Sequence, residues 1–184
     1  MRLSSSFAAC VFLSCVLLTP VLFGQRDVHA VLVTQAARKP APSFHLAGDT
    51  GKTMQIADYK GKVVLLNFWA TACGGCVLEI PSFVALQQAY QDKGFTAIGI
   101  AMDISYEQLK GADEAWAKVK PFAADHKMNY PILMGNDATF DAYGSDAYPA
   151  TYLIDKTGKI AATYVGIVNK DNVEQNVKAL LSER

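Results

Sequence analysis

Continuous apolar runs alternate with segments of helical period along this chain. Val63 to Trp69 is apolar apart from Asn67 and lacks the polar alternation of a half-buried strand, so it reads as a central strand covered on both faces. Val77 to Lys93 then repeats at helical spacing, with Ile80, Phe83, Val84 and Tyr90 on the buried side and Gly94 as its stop. Phe95 to Met102 is again apolar throughout. Strand, helix and strand within 40 residues predict a right-handed parallel crossover. Upstream, Ser43 to Ala47 and Thr53 to Ile56 flank Gly48-Asp49-Thr50-Gly51, a hairpin signal. Downstream, Ser105 to Gln108 has capping-box spacing and Trp116, Val119 and Ala123 share a face, which predicts a helix over Ser105 to Lys127, kinked at Pro121. Pro131 to Met134 reads as a strand, followed by a short helix ending near Gly144. Thr151 to Ile154 and Lys159 to Val165 flank Asp155-Lys156-Thr157-Gly158, so the sheet is expected to finish antiparallel. Asn169 caps a last helix presenting Val173, Val177, Leu180 and Leu181.

The first 30 residues stand apart. Arg2 is followed by a largely apolar stretch from Phe7 to Phe23, interrupted by Ser14, Thr19 and Pro20, and Val28-His29-Ala30 offers a small-residue cleavage site. This reads as an export signal; retention as an N-terminal membrane anchor is the competing reading, and a lipid anchor on Cys15 is poorly matched by Phe12-Leu13-Ser14. Either way the folded part is expected in the periplasm or another extracytoplasmic compartment, where disulfides persist. Residues 31–42, with the proline- and base-rich Ala36 to Pro42, read as an exposed lead-in, and 43–184 as the folded domain. The 154 residues left after a cut at Ala30 suit one domain with a full core. They carry 15 Lys plus Arg against 16 Asp plus Glu, a formal charge of −1, which gives no electrostatic case for nucleic acid.

Removing the leader also removes Cys10 and Cys15, leaving Cys73 and Cys76 in the motif CGGC, between a predicted strand and a predicted helix. A cysteine in the first turn of a helix has its thiolate, the reactive form, stabilised by unpaired backbone N–H groups and the helix dipole. A partner three residues on can then resolve a mixed disulfide. The pair is a redox-site candidate whose oxidation state depends on an external donor or acceptor.

The segment DYKGKVVLLNFWATACGGC, the downstream YPATYLID and the hairpin DKTGKI stand in an order and spacing that resemble the thioredoxin superfamily, and within it the exported TlpA/ResA-like thiol-disulfide oxidoreductases; the likeness covers about residues 40 to 184. It implies a thioredoxin fold in the α/β class: a central mixed sheet flanked by helices, with the N-terminal hairpin and a helical insert within Met102 to Asn129. It also implies that Pro149 is a cis proline facing the disulfide. Physics supports such a role, because a cis X-Pro bond bends the chain sharply and proline offers no N–H, leaving neighbouring backbone free to pair with an extended substrate.

On this resemblance Cys73 exchanges sulfurs with the client and Cys76 resolves. Asn67 stands where ordinary thioredoxins carry a buried aspartate and cannot titrate. Glu79, one turn along the helix from Cys76, matches a family glutamate and is the expected acid/base, against the plainer reading of an exposed first-turn glutamate that complements the dipole. Tyr148 and Pro149 are expected to border the substrate groove, together with Ala72 and Trp69 beside the motif. The chain departs from the family at Ala72, where tryptophan is usual, and at Gly75, where proline is usual; the first removes an aromatic docking surface and the second loosens the turn. Phe68, Phe83, Trp116 and Phe122 read as core, and His45 and His126 as surface residues.

The implied partners are client proteins with cysteines or disulfides, apocytochrome c among them, and a membrane electron donor such as a thiol-reducing transmembrane protein. No cofactor is expected. The competing class is a metal-binding or copper-delivery module using the cysteine pair, but no second C-x-x-C or H-x-x-x-H accompanies it. Covalent haem attachment fails because Val77 stands where C-x-x-C-H needs histidine, and a peroxidase lacks its usual proline and threonine before a lone cysteine. The sequence therefore points to disulfide exchange, and the resemblance implies reduction of clients rather than their oxidation.

Overall fold

The computed structural model describes residues 27–183, so the proposed leader lies outside the described residues except for its last four. A six-stranded sheet forms the centre, and the chain enters it at the edge through β1 (Lys39–Pro40). A separate hairpin follows, β2 (Leu46–Ala47) with β3 (Thr53–Met54), at the expected turn. Then come β4 (Val63–Trp69), α1 (Gly74–Tyr90), β5 (Phe95–Ala101), α2 (Asp103–Tyr106), α3 (Ala112–Asp125), β6 (Ile132–Met134), α4 (Asp137–Ala142), β7 (Ala150–Ile154), β8 (Lys159–Val165) and α5 (Lys170–Ser182). The strand order is β1-β8-β7-β4-β5-β6. β4 pairs parallel with β5 and β5 with β6, while β4 with β7, β7 with β8 and β1 with β8 are antiparallel.

Every residue of β4 and β5 is buried, as an apolar run without alternation requires. Alternate side chains go to opposite faces. Val63 and Leu65 pack with Phe83 and Leu86 of α1 and with Val173, Val177 and Leu180 of α5. Val64, Leu66 and Phe68 pack on the other face with Phe140, Tyr143 and the hairpin residue Leu46. A third cluster closes the C-terminal end of β4, joining Trp69, Cys73, Cys76 and Ile80 to Ala115 and Val119 of α3. Gly94 ends the α1 region at φ 87°, a conformation that suits glycine.

Two boundaries differ from the sequence expectation. The helix predicted over Ser105 to Lys127 is two helices, because α2 already begins at Asp103 and Gln108, at φ 55°, leaves helical geometry before α3 restarts after Gly111. The capping box expected at Ser105 therefore does not form; α3 runs through Pro121 and ends before Lys127, at φ 54°.

The lead-in at 31–42 is mostly exposed, as expected, but it is also attached to the domain. Arg38 is buried, its guanidinium 3.0 Å from Asp155 and 2.6 Å from Glu183, and β1 pairs with β8. The attachment starts before residue 31: the Val28 N–H donates to Ile167 O, Asn169 N–H donates to Val28 O, and Ala30 is held by both Asn172 and Asn176. Main-chain pairing of this kind makes residues 28–42 part of the folded unit rather than a tether.

Candidate active site

β4 ends at Trp69, and a short turn, Ala70 to Ala72, delivers the chain to α1. Cys73 is the N-cap of that helix: its sulfur accepts the Cys76 N–H at 3.3 Å and its carbonyl accepts the Val77 N–H. Cys73 and Cys76 are joined as a disulfide, with Cys73 4% and Cys76 1% exposed. The two glycines between them leave the disulfide uncovered by side chains of its own loop. A Cβ on Gly75 would lie 3.4 Å from Ile167 and 3.5 Å from Pro149, so these two residues form the wall facing the motif. The Tyr148–Pro149 bond is cis, and Tyr148 is half-buried against the cluster that holds both cysteines.

Glu79 is not the exposed first-turn carboxylate of the plainer reading. It is 2% exposed, one helical turn from Cys76, and its Oε1 accepts the Val168 N–H at 2.7 Å. Asn67, held by Thr151 Oγ1 at 2.9 Å, points its amide at Oε2 from 3.5 Å. Burial dominates over these two hydrogen bonds and pushes the Glu79 carboxyl up to about 8. A buried carboxyl that keeps its proton near neutral pH, beside a disulfide, is equipped to exchange that proton with sulfur.

Of the other residues expected at the site, Ala72 is exposed at the rim, whereas Trp69 is fully buried and stacks, tilted, on Phe122 at 5.4 Å. Trp69 thus supports the disulfide from behind and does not border the groove, a correction that follows from its place as the last residue of an all-buried strand. Among the described residues its indole N–H has no partner, and the space for the ring exists because residue 99 on the neighbouring strand is glycine: a Cβ there would lie 2.8 Å from Nε1. Phe122 and Trp116 are only partly buried, and His126 stacks on Phe122 at 3.9 Å.

Sequence reasoning missed the support on the other side of the motif. Asp103, fully buried, accepts from Thr71 N–H at 3.1 Å and from Thr71 Oγ1 at 2.5 Å, which ties α2 to the turn that carries Cys73. Burial raises its pKa, and among the described residues its Oδ2 has no partner. Thr71 Oγ1 also lies 3.2 Å from Glu107 Oε1, and Glu107 is paired with Lys118. The signal was available: Asp103 is the first charged residue after the apolar run of β5, at the same sheet edge where β4 delivers the cysteines, and in open α/β sheets that edge carries the chemistry.

A central mixed sheet with a helix-capping cysteine pair opposite a cis proline defines a thioredoxin-fold thiol-disulfide oxidoreductase. The chain belongs to the AhpC/TSA family, whose model matches residues 37–163. It is 34% identical over 137 residues to the thioredoxin-like protein YneN of Bacillus subtilis, covering 74% of this chain and 76% of that protein. It is 31% identical over 146 residues to the thiol-disulfide oxidoreductase ResA of Geobacillus thermodenitrificans, covering 79% and 78%. Among solved structures, the exposed lipoprotein thioredoxin of Streptococcus pneumoniae matches with a TM-score of 0.62 at 30% identity, covering 76% of this chain and all of that one. The protein is a ResA-like thiol-disulfide oxidoreductase, and its clients are proteins with cysteines or disulfides.

Proposed function

We propose that this protein works outside the cytoplasm as a reductant or exchanger of client disulfides, with Cys73 as attacking sulfur, Cys76 as resolving sulfur and Glu79 as their acid/base. The observation that carries the reading is the disulfide seated at the N-terminus of α1 with a buried, proton-retaining Glu79 one turn behind it. In the reduced protein the Cys73 thiolate attacks one sulfur of a client disulfide; the Cys73–client bond forms as the client bond breaks, and the released client thiolate takes a proton. Cys76 then gives its proton to the Glu79 carboxylate and attacks Cys73, releasing the second client sulfur and forming the disulfide seen here. Re-reduction reverses these steps, with Glu79 returning the proton to the departing Cys76 sulfur. Pro149 and Tyr148 line the client groove, with Ala72 at its rim.

Residues 1–30 serve export or anchoring in this reading, supported by their composition and by the exposed lipoprotein of known structure. The electron donor is a thiol-reducing membrane protein, and apocytochrome c, whose haem-binding cysteines must be reduced before attachment, is the client proposed. Among the described residues no helix is long and apolar enough to cross a membrane, and no group of three or more His, Cys, Asp or Glu side chains is placed to hold a metal ion.

Trapping tests the order of roles. Cys76→Ser is expected to accumulate mixed disulfides with clients through Cys73, visible on non-reducing gels and released by reductant. Accumulation on Cys73→Ser instead reverses the assignment. A potential for the Cys73/Cys76 couple near that of strong periplasmic oxidants, about −120 mV, sinks the reductant reading.

A further inference from the structure

The rim of the groove opposite α1 is aromatic and acidic. Tyr106, at the end of α2, is 42% exposed, and its ring meets that of Tyr148 edge-on at 5.4 Å. Tyr148 in turn stacks flat on Phe140 of α4 at 4.5 Å and precedes the cis proline that faces Gly75. The Asp103–Thr71 hydrogen bonds fix α2 against the turn leading into Cys73, so Tyr106 belongs to the same surface as the disulfide. Behind these rings, α4 and the loop after it expose Asp137, Asp141 and Asp146, and residues 128–155 contain no lysine or arginine. Asp137 and Asp141 are close enough to act on the Tyr148 hydroxyl, which burial first and these carboxylates second raise to about 12. On the α2 side, Glu107 is the adjacent carboxylate, and it is already paired with Lys118.

Two tyrosine rings with carboxylates behind them favour a cation, and favour a guanidinium most, since it can lie on a ring while its N–H groups reach the acids. Resting on the thiol-exchange reading above, we propose that Tyr106 and Tyr148, backed by Asp137 and Asp141, select extended client segments carrying arginine or lysine beside the reacting cysteine. The face is continuous with the disulfide, and its charge is complementary to that occupant. It takes the docking role that Ala72, lacking a ring, does not supply.

The test uses the reduced protein and three fluorogenic peptide disulfides identical except for Arg, Ala or Glu next to the cysteine, with hydroxyethyl disulfide as a probe that carries no peptide. The Arg peptide is expected to react about five- to tenfold faster than the Glu peptide at low salt, with the ratio shrinking in 0.5 M NaCl. The ratio is expected to fall at least about threefold in Tyr106→Ala and in the double variant Asp137→Asn/Asp141→Asn, and to persist in Tyr106→Phe, which keeps the ring. Equal Arg and Glu rates in the unaltered protein, or a ratio that survives both Tyr106→Ala and the double aspartate change, overturns the proposal. Failure to reduce even hydroxyethyl disulfide overturns the redox roles themselves, a different result from exchange without preference.

Discussion

Replacing Glu79 by glutamine separates the proton-holding role of this side chain from its structural one. The amide keeps an oxygen for the Val168 N–H, bonded at 2.7 Å in the native protein, and fills the same space, but it cannot titrate. In the folded protein the carboxyl is pushed from about 4.5 to about 8, so the fold binds the Glu79 proton more tightly than the unfolded chain does. The resulting stability is complete below about pH 4.5 and is lost as pH rises through 8. At about 1.4 kcal/mol per unit, the full loss is of order 5 kcal/mol. Urea unfolding of the oxidised protein and of Glu79→Gln at pH 5 and pH 8.5 measures it. Other groups titrate identically in both proteins and cancel in the difference. The native protein is expected to lose several kcal/mol more than the variant between these pH values. Parallel pH dependence in the two proteins refutes the buried-proton account, and with it the acid/base role; the variant should also slow resolution of the mixed disulfide while leaving Cys73 attack close to native speed.

Other perturbations probe the frame around the site. Gly75→Pro is expected to raise stability by about 0.4–1 kcal/mol, since the first-turn N–H has no helical acceptor and a Cβ at this position meets Ile167 and Pro149 at ordinary contact distances; thermal melts of the oxidised form check it. Gly99→Ala is expected to cost about 2 kcal/mol, because its methyl lands 2.8 Å from the Trp69 indole nitrogen, and to change the Trp69 fluorescence; an unchanged melt removes the packing argument. Arg38→Ala leaves Asp155 and Glu183 without their shared cation and is expected to cost about 3 kcal/mol in chemical denaturation, whereas a loose lead-in would lose nothing.

Legibility followed the kind of interaction. The core strands, the crossover and both hairpins were readable because their signals are local: apolar runs, glycine turns and an Asn cap that the structure keeps, with Asn169 accepting from Asn172 N–H at 3.0 Å. The cysteine pair and Pro149 were readable for the same reason, as short motifs in a family-like order. What could not be read were contacts whose partners are far apart in the chain. Arg38 looks like an exposed base until Asp155, 117 residues away, meets it. Asp103 lies just ahead of the predicted helix, and nothing local to it shows that it is buried and bonded to Thr71. Glu79 is the intermediate case: its spacing from Cys76 put it on the right face, but only the β8–α5 connection, through Val168, reveals that it is buried.

That connection bears on how the site handles charge. A thiolate on Cys76 and a carboxylate on Glu79 would place two negative charges one helical turn apart, with Asn67 and one backbone N–H as the polar contacts of the carboxylate. Burial makes that doubly charged state expensive, so in the reduced protein the two groups are coupled and hold at least one proton over the neutral range. In the proposed mechanism a proton passed within this pair suits exchange in both directions: it leaves Cys76 as the sulfur closes the disulfide and returns as the disulfide opens. Asp103, also buried and with its own pKa raised, is held apart from this pair by its bonds to Thr71, so its effect falls on the position of the Cys73 turn and not on that proton. In the proposed mechanism one side of the motif therefore manages the proton while the other positions the turn that carries Cys73, and Gly74 and Gly75 place no side chain of their own between them and the client.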